Sequence, residues 1–147
     1  MCPNEKTIKE IIDVLRKKGY KATPQRIAIC KFALQTPTHP TANEIYRKVK
    51  EEYPTISIAT VYQTLKILKK LSLIQELPFF QRKIRFDPCI KPHVNLFCIK
   101  CGTVKDLNDP IAQLIVDKIA SSTDFIVNGQ RIDVYGICRK CVRQLTK

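Results

Sequence analysis

Long apolar runs are missing from this chain. No segment approaches the roughly 18 consecutive apolar residues that a bilayer-spanning helix requires, and Met1-Cys2-Pro3-Asn4-Glu5-Lys6 leads straight into charged sequence. The expectation is a cytoplasmic protein. Glycine is scarce, with four residues in 147, and none lies in a Gly-rich phosphate loop, so the sequence holds no nucleotide cradle. Only two histidines occur. Both have a better use as ligands than as bases, and nothing supports hydrolytic or transferase chemistry, so the chain reads as a non-enzyme. Internal repeats and low-complexity segments are also absent. Acidic residues are outnumbered two to one, 13 against 26 Lys and Arg, which leaves a formal charge of +13. With 44% hydrophobic residues the chain is not disordered, and its length suits one ordinary domain or two small ones.

The positive charge is unevenly placed. Up to Asp87 the chain has 17 basic residues against 8 acidic, and the remainder 9 against 5. A polyanion is therefore the expected partner of the first part, because neutralising phosphates releases counterions; an anionic membrane surface would use the same charge. Ile8, Ile11, Ile12 and Leu15 follow the i, i+3, i+4, i+7 spacing of one buried helical face over residues 6–18, and Gly19 ends it. Thr23-Pro24 supplies an N-cap and a proline at the first helical position of a second helix, with Cys30 on its apolar face. Thr41-Ala42-Asn43-Glu44 is a capping box that opens a third helix to about Glu52, ended by Pro54.

From Ser57 to Leu71 the two faces of a fourth helix differ in kind. Ile58, Val61, Leu65 and Leu68 fall on one side, while Ala59, Tyr62, Gln63, Lys66 and Lys70 fall on the other. Ser57, Ala59, Thr60, Tyr62 and Gln63 are small or hydrogen-bonding enough to approach base edges, and Lys66 is placed for phosphate. Two short extended stretches follow, Leu73–Leu77 and Ile84–Asp87. With Arg82, Lys83 and Arg85 between and along them they read as a wing giving further phosphate contacts. The expected fold class is α+β: an N-terminal winged helix-turn-helix over residues 1–87, a hinge over 88–92 containing Pro88 and Pro92, and a small α/β dimerisation domain over 93–147. In that second domain His93–Ile99, Thr103–Leu107, Phe125–Val127 and Arg131–Ile137 read as strands, with a helix after Pro110. About 60 residues make a marginal core, so a metal staple and a partner subunit are expected.

Cys98-Ile99-Lys100-Cys101 and Cys138-Arg139-Lys140-Cys141 provide that staple. Two residues between cysteines let one turn aim both sulfurs at the same ion, and two such turns give the four thiolates of a closed structural Zn²⁺ site. The competing reading is a thiol redox protein, which would lose these thiols to disulfide under mild oxidant without bound metal. His39, Asp87, His93 and Asp106 form a second, N/O constellation suited to Fe²⁺, Mn²⁺ or Zn²⁺.

On Gly19-Tyr20-Lys21-Ala22-Thr23-Pro24-Gln25-Arg26, His39-Pro40-Thr41-Ala42, Ser57-Ile58-Ala59-Thr60-Val61-Tyr62, Arg85-Phe86-Asp87, the cysteine pairs and Tyr135-Gly136, the sequence resembles the ferric uptake regulator family, most closely its peroxide-sensing branch. The resemblance implies a homodimeric repressor that binds an inverted-repeat DNA operator when a regulatory ion is present and keeps a separate permanent zinc. It implies that His39, Asp87, His93 and Asp106 hold the regulatory ion, and that peroxide acts by oxidising His39 or His93 beside Fe²⁺. It also implies that Tyr62 touches thymine methyls, Lys21 reaches the minor groove and Arg26 holds phosphate. Aspartates at 87 and 106 match the peroxide sensors; the alternative is an iron, manganese or zinc uptake regulator. The chain departs from the family at Asn95, where a ligand histidine is expected, so Asn95 is a candidate weaker ligand. Cys89 in the hinge is another, as a thiolate that would favour zinc. No match to the family's further histidine-rich site occurs around Asn128-Gly129-Gln130-Arg131.

Overall fold

A computed structural model describes residues 6–78 and 83–145; the expected wing-tip residue Arg82 lies outside them. The chain divides between Ile90 and Lys91 into two compact units.

The first unit holds α1 (Ile8–Lys17), α2 (Pro24–Gln35), α3 (Ala42–Glu52), α4 (Ile58–Lys70), β1 (Gln75–Pro78) and β2 (Ile84–Asp87). Each helix starts on a side-chain cap that satisfies an otherwise unpaired N–H. Thr7 and Thr41 form reciprocal capping boxes with Glu10 and Glu44, while Thr23 and Ser57 cap α2 and α4 alone. The capping box at Thr7 is an addition to the sequence reading. Leu15, Leu34, Ile45, Val61, Leu65 and Leu68 meet in the core of this unit with exposures of 1% or less. Thr64 is buried with them, and its hydroxyl donates to Thr60 O at 2.9 Å, so this polar side chain costs little inside an apolar face. β1 and β2 form an antiparallel hairpin pairing Gln75 with Asp87 and Leu77 with Arg85. Lys69 of α4 is ion-paired to Glu76 of β1, tying the hairpin to the helix.

Cys30 sits in this core, and burial pushes its thiol up to about 12. The thiolate is the reactive form, so the native protein treated with iodoacetamide at about pH 8 should leave the Cys30 peptide unlabelled. Peptide mass spectrometry checks this against a denatured control that labels fully.

The second unit contains β3 (Val94–Cys98), β4 (Val104–Leu107), α5 (Ile111–Ser122), β5 (Ile132–Gly136) and α6 (Arg139–Leu145). Its sheet has the order β4-β3-β5, antiparallel on one side of β3 and parallel on the other. The parallel pairing requires a crossover, which the segment containing α5 provides. One expectation needs correction. Phe125–Val127 is not a strand in this chain, and Phe125 and Ile126 are 76% and 87% exposed. The second cysteine pair also opens a helix, α6, that its charged, short sequence does not advertise. α5 buries only Ala112 and leaves Ile111, Leu114, Ile115 and Ile119 largely exposed.

Candidate metal centres and nucleic-acid surface

Cys98 ends β3, and Gly102 supplies the left-handed turn (φ 71°) that returns the chain to β4 after Cys101. Gly102 N–H donates to Cys98 O and Cys98 N–H to Thr103 O, which closes this knuckle. Cys138 precedes α6 and Cys141 lies in its first turn. The four sulfurs lie within 4.8 Å of one another, with Cys101 Sγ 3.8 Å from Cys138 Sγ. A tetrahedral ion with Zn–S bonds of about 2.3 Å requires sulfurs about 3.8 Å apart, so the cluster fits a structural zinc. The N–H of Cys138 donates to Cys98 Sγ at 3.3 Å and, with further backbone donors, draws the Cys98 thiol down to about 6. Cys141 is pushed up to about 12 by burial and then by the neighbouring sulfurs. Neighbouring sulfurs oppose one another's ionisation, and a cation among them would relieve that repulsion.

His39 is a buried residue in the left-handed region, φ 49°, immediately before Pro40. Such backbone is strained for a residue with a side chain and must be held by its surroundings. Arg85 holds it: Nη1 donates to His39 O at 2.9 Å, while Phe86 N–H donates to Pro40 O. Arg85 is 17% exposed and also lies 3.6 Å from Glu44, so its guanidinium braces the histidine loop. That corrects the expectation of a phosphate contact. The same strand ends in Asp87, whose Oδ1 lies 3.6 Å from His39 Nε2. Asp87 is itself oriented by Cys89 N–H on Oδ1 (2.7 Å) and Gln75 Nε2 on Oδ2 (2.7 Å). Gln75 also donates to Cys89 O; sequence reasoning passed over it because its role follows from pairing with Asp87 across the hairpin. Cys89 is disulfide-bonded in this structure, so its sulfur is not the thiolate ligand considered above.

In the second unit His93 immediately precedes β3, Asn95 lies two residues on within it, and Asp106 faces Asn95 across the β3–β4 ladder. His93 Nε2 is 3.1 Å from Asn95 Oδ1 and 3.9 Å from Asp106 Oδ1. All three residues are buried or nearly so. Each unit thus presents its own group of N and O donors. Spacings of 3.1–3.9 Å are close to the about 3–3.5 Å between neighbouring ligands at metal–ligand bonds of about 2.0–2.2 Å, so the donors of each group are spaced as partial ligand sets for a first-row divalent ion.

On the outer side of α4, Ser57, Ala59, Gln63 and Lys66 are exposed, Thr60 is half-exposed, and Tyr62 is 54% exposed. Ser57 and Thr60 share a 2.9 Å hydroxyl contact. Lys21 is exposed, and Arg26 Nη1 donates to its carbonyl oxygen, which fixes the loop that presents the lysine. Tyr62, Lys66, Lys69 and Lys70 border a cavity of about 660 Å³ between α4 and the hairpin, so a cationic wall follows the helix. Lys66→Ala should lower the salt dependence of DNA binding by about one unit in log–log slope with little change in sequence preference. Fluorescence anisotropy across a salt series measures it.

A winged-helix unit with a cationic recognition helix, joined to a small unit with a four-cysteine cluster, defines a metal-responsive transcriptional regulator. A model of the ferric uptake regulator family matches residues 17–135. The peroxide-responsive repressor PerR of Staphylococcus saprophyticus is 36% identical over 137 residues, covering 93% of both chains. Among solved structures, the Campylobacter jejuni peroxide stress regulator is 31% identical with a TM-score of 0.70, covering 89% of this chain and 98% of that one. The Helicobacter pylori ferric uptake regulator Fur, at 22% identity and TM-score 0.75 over 93% and 95%, has the same fold. The chain belongs to the ferric uptake regulator family and is a metal-dependent transcriptional repressor. No helix among the described residues is long and apolar enough to cross a membrane.

Proposed function

We propose that the protein acts in the cytoplasm as a homodimer on an inverted-repeat operator and releases it in response to peroxide. His39 and Asp87 of the first unit and His93 and Asp106 of the second grip one regulatory ion, Fe²⁺ or Mn²⁺, while the four cysteines keep Zn²⁺. A ligand held by residues of both units binds one arrangement of those units better than others, and that differential affinity is all an effector can use to favour DNA binding. The observation that carries this reading is the bracing of His39 by Arg85 and Asp87 within the unit that carries α4. The histidine cannot move without disturbing that unit. The exposed apolar face of α5, with Leu114 61% and Ile111 51% exposed, supports burial against a second copy.

Fe²⁺ held there would activate peroxide by one-electron transfer, the net change being delivery of one peroxide oxygen to an adjacent imidazole while the other oxygen leaves as water. His39 and His93 are then the residues whose oxidation releases the grip. The aspartates at 87 and 106 and the similarity to peroxide-responsive repressors support this. Asn95 favours a second reading, reversible manganese or iron regulation, because a carbonyl oxygen suits Mn²⁺. Protein loaded anaerobically with Fe²⁺ and given a small dose of peroxide should gain one oxygen on the peptide carrying His39 or His93, and the Mn²⁺ form should not. Unmodified histidines despite confirmed iron occupancy would reject peroxide sensing in favour of reversible regulation.

A further inference from the structure

Glu76 is the one acidic residue among those described around the cavity between α4 and the hairpin, where Tyr62, Lys66, Lys69 and Lys70 supply the helix side. Tyr62, Lys66 and Lys69 stand at i, i+4 and i+7, so they form a single stripe along α4. Lys69 continues the line that Lys66 begins. The β1–β2 register sets Glu76 opposite Phe86, a buried residue that lines the same cavity. From there the Glu76 carboxylate reaches across to α4, and its Oε2 accepts from Lys69 Nζ at 2.5 Å. The Lys69 and Glu76 side chains are 52% and 33% exposed, and an ion pair so open to water adds little to folding stability. Its consequence lies in where the charge goes. An ammonium engaged by a carboxylate is not free to neutralise a phosphate, and a negative charge fixed in the groove repels the DNA backbone. Lys69 therefore stands on the DNA-facing stripe and is withheld from DNA.

We propose that Glu76 holds Lys69 away from phosphate and so limits the sequence-independent part of the protein's affinity for DNA. That part is set by how many phosphates the protein neutralises, so withdrawing one cation per chain weakens it while leaving the base-edge contacts of α4 in place. A chain with a formal charge of +13 is drawn to any duplex by charge alone. An allosteric coupling of about 5–150-fold can release DNA only if the charge-driven affinity left behind is weak. Such a restraint suits a repressor whose binding depends on metal. Glu76 and Lys69 both belong to the first unit, and their pairing is independent of which ion regulates the protein.

The test measures binding of full-length protein, carrying its structural zinc and kept in Mn²⁺, to a random-sequence duplex by fluorescence anisotropy across a salt series. Glu76→Gln preserves the shape of the side chain and removes its charge. It should tighten binding about fivefold to tenfold near about 0.1 M salt and steepen the log–log salt slope by about one unit per chain. Adding Lys69→Ala to Glu76→Gln should cancel both gains, because the freed ammonium carries them. An unchanged slope in Glu76→Gln, or a gain that survives the loss of Lys69, overturns the inference. Weaker binding by Glu76→Gln overturns it too, and would make the ion pair a brace for the hairpin instead.

Discussion

Cys98→Ser is expected to empty the four-cysteine site and unfold the second unit while leaving the first unit folded. The second unit has few buried apolar side chains, chiefly Val94, Phe97 and Val104 of the sheet and Ala112 of α5. Domains of this size gain too little from apolar burial to offset chain entropy with a wide margin. Structural zinc sites contribute about 10–16 kcal/mol of apparent binding free energy near neutral pH, all of which is folding free energy when the unfolded chain has no site. Removing one of four ligands forfeits most of it. The metal also joins distant parts of the chain, because Cys98 and Cys101 flank the β3–β4 turn whereas Cys138 and Cys141 follow β5. The variant should lose its zinc by elemental analysis, lose the proposed dimer in sedimentation, and retain a helical thermal transition from the first unit. Cys30→Ser, a core change away from the cluster, serves as the comparison and should keep one zinc per chain. A Cys98→Ser protein that stays dimeric with its second unit folded would show that the sheet does not depend on metal.

His39→Gly is expected to abolish the metal-dependent gain in operator affinity without unfolding either unit. Glycine accepts the positive φ of residue 39 freely, so the substitution removes the imidazole while allowing the backbone to keep its path against Arg85 and Phe86. Allosteric couplings of this kind are worth about 1–3 kcal/mol, or about 5–150-fold in affinity. That factor is the quantity to measure, as the ratio of operator affinities with and without Mn²⁺. The wild type should show it, and the variant should bind equally weakly in both conditions. Zinc content should stay at one per chain, which separates this site from the cysteine cluster. Asp87→Ala is a poorer test, because it also strands the Cys89 N–H and the Gln75 amide that Asp87 now accepts from. A His39→Gly protein that still responds fully to Mn²⁺ would remove this residue from the regulatory site.

Much of the fold could be read from local chemistry. Thr23-Pro24 and Thr41–Glu44 mark helix starts because capping joins residues three apart in the chain. The inner face of α4 could be read from Val61, Leu65 and Leu68 because helical periodicity is a local property. The paired C-x-x-C spacing announced a metal cluster for the same reason. The misreadings fall where partners are distant. Arg85 resembles a wing cation until the hairpin places it against His39 O. Phe125–Val127 has the composition of a strand, and composition cannot show whether the fold brings a sheet edge beside it. Asp133 gave no signal as the hydrogen-bond partner of Asn95, since only the β3–β5 register sets the two opposite each other.

The sequence by itself determined where helices begin, which of their faces are apolar, where the positive charge gathers and which cysteines can share an ion. Each of these depends on residues within a turn or two of one another or on composition. Tertiary structure decided that His39 is held in a strained loop beside Asp87, that Arg85 is a brace, and that the Asn95 amide presents its oxygen to His93. Those outcomes depend on strand register and on contacts between residues as far apart as His39 and Arg85, or Asn95 and Asp133. Donor and acceptor geometry of that kind comes into being only when the sheet and hairpin close.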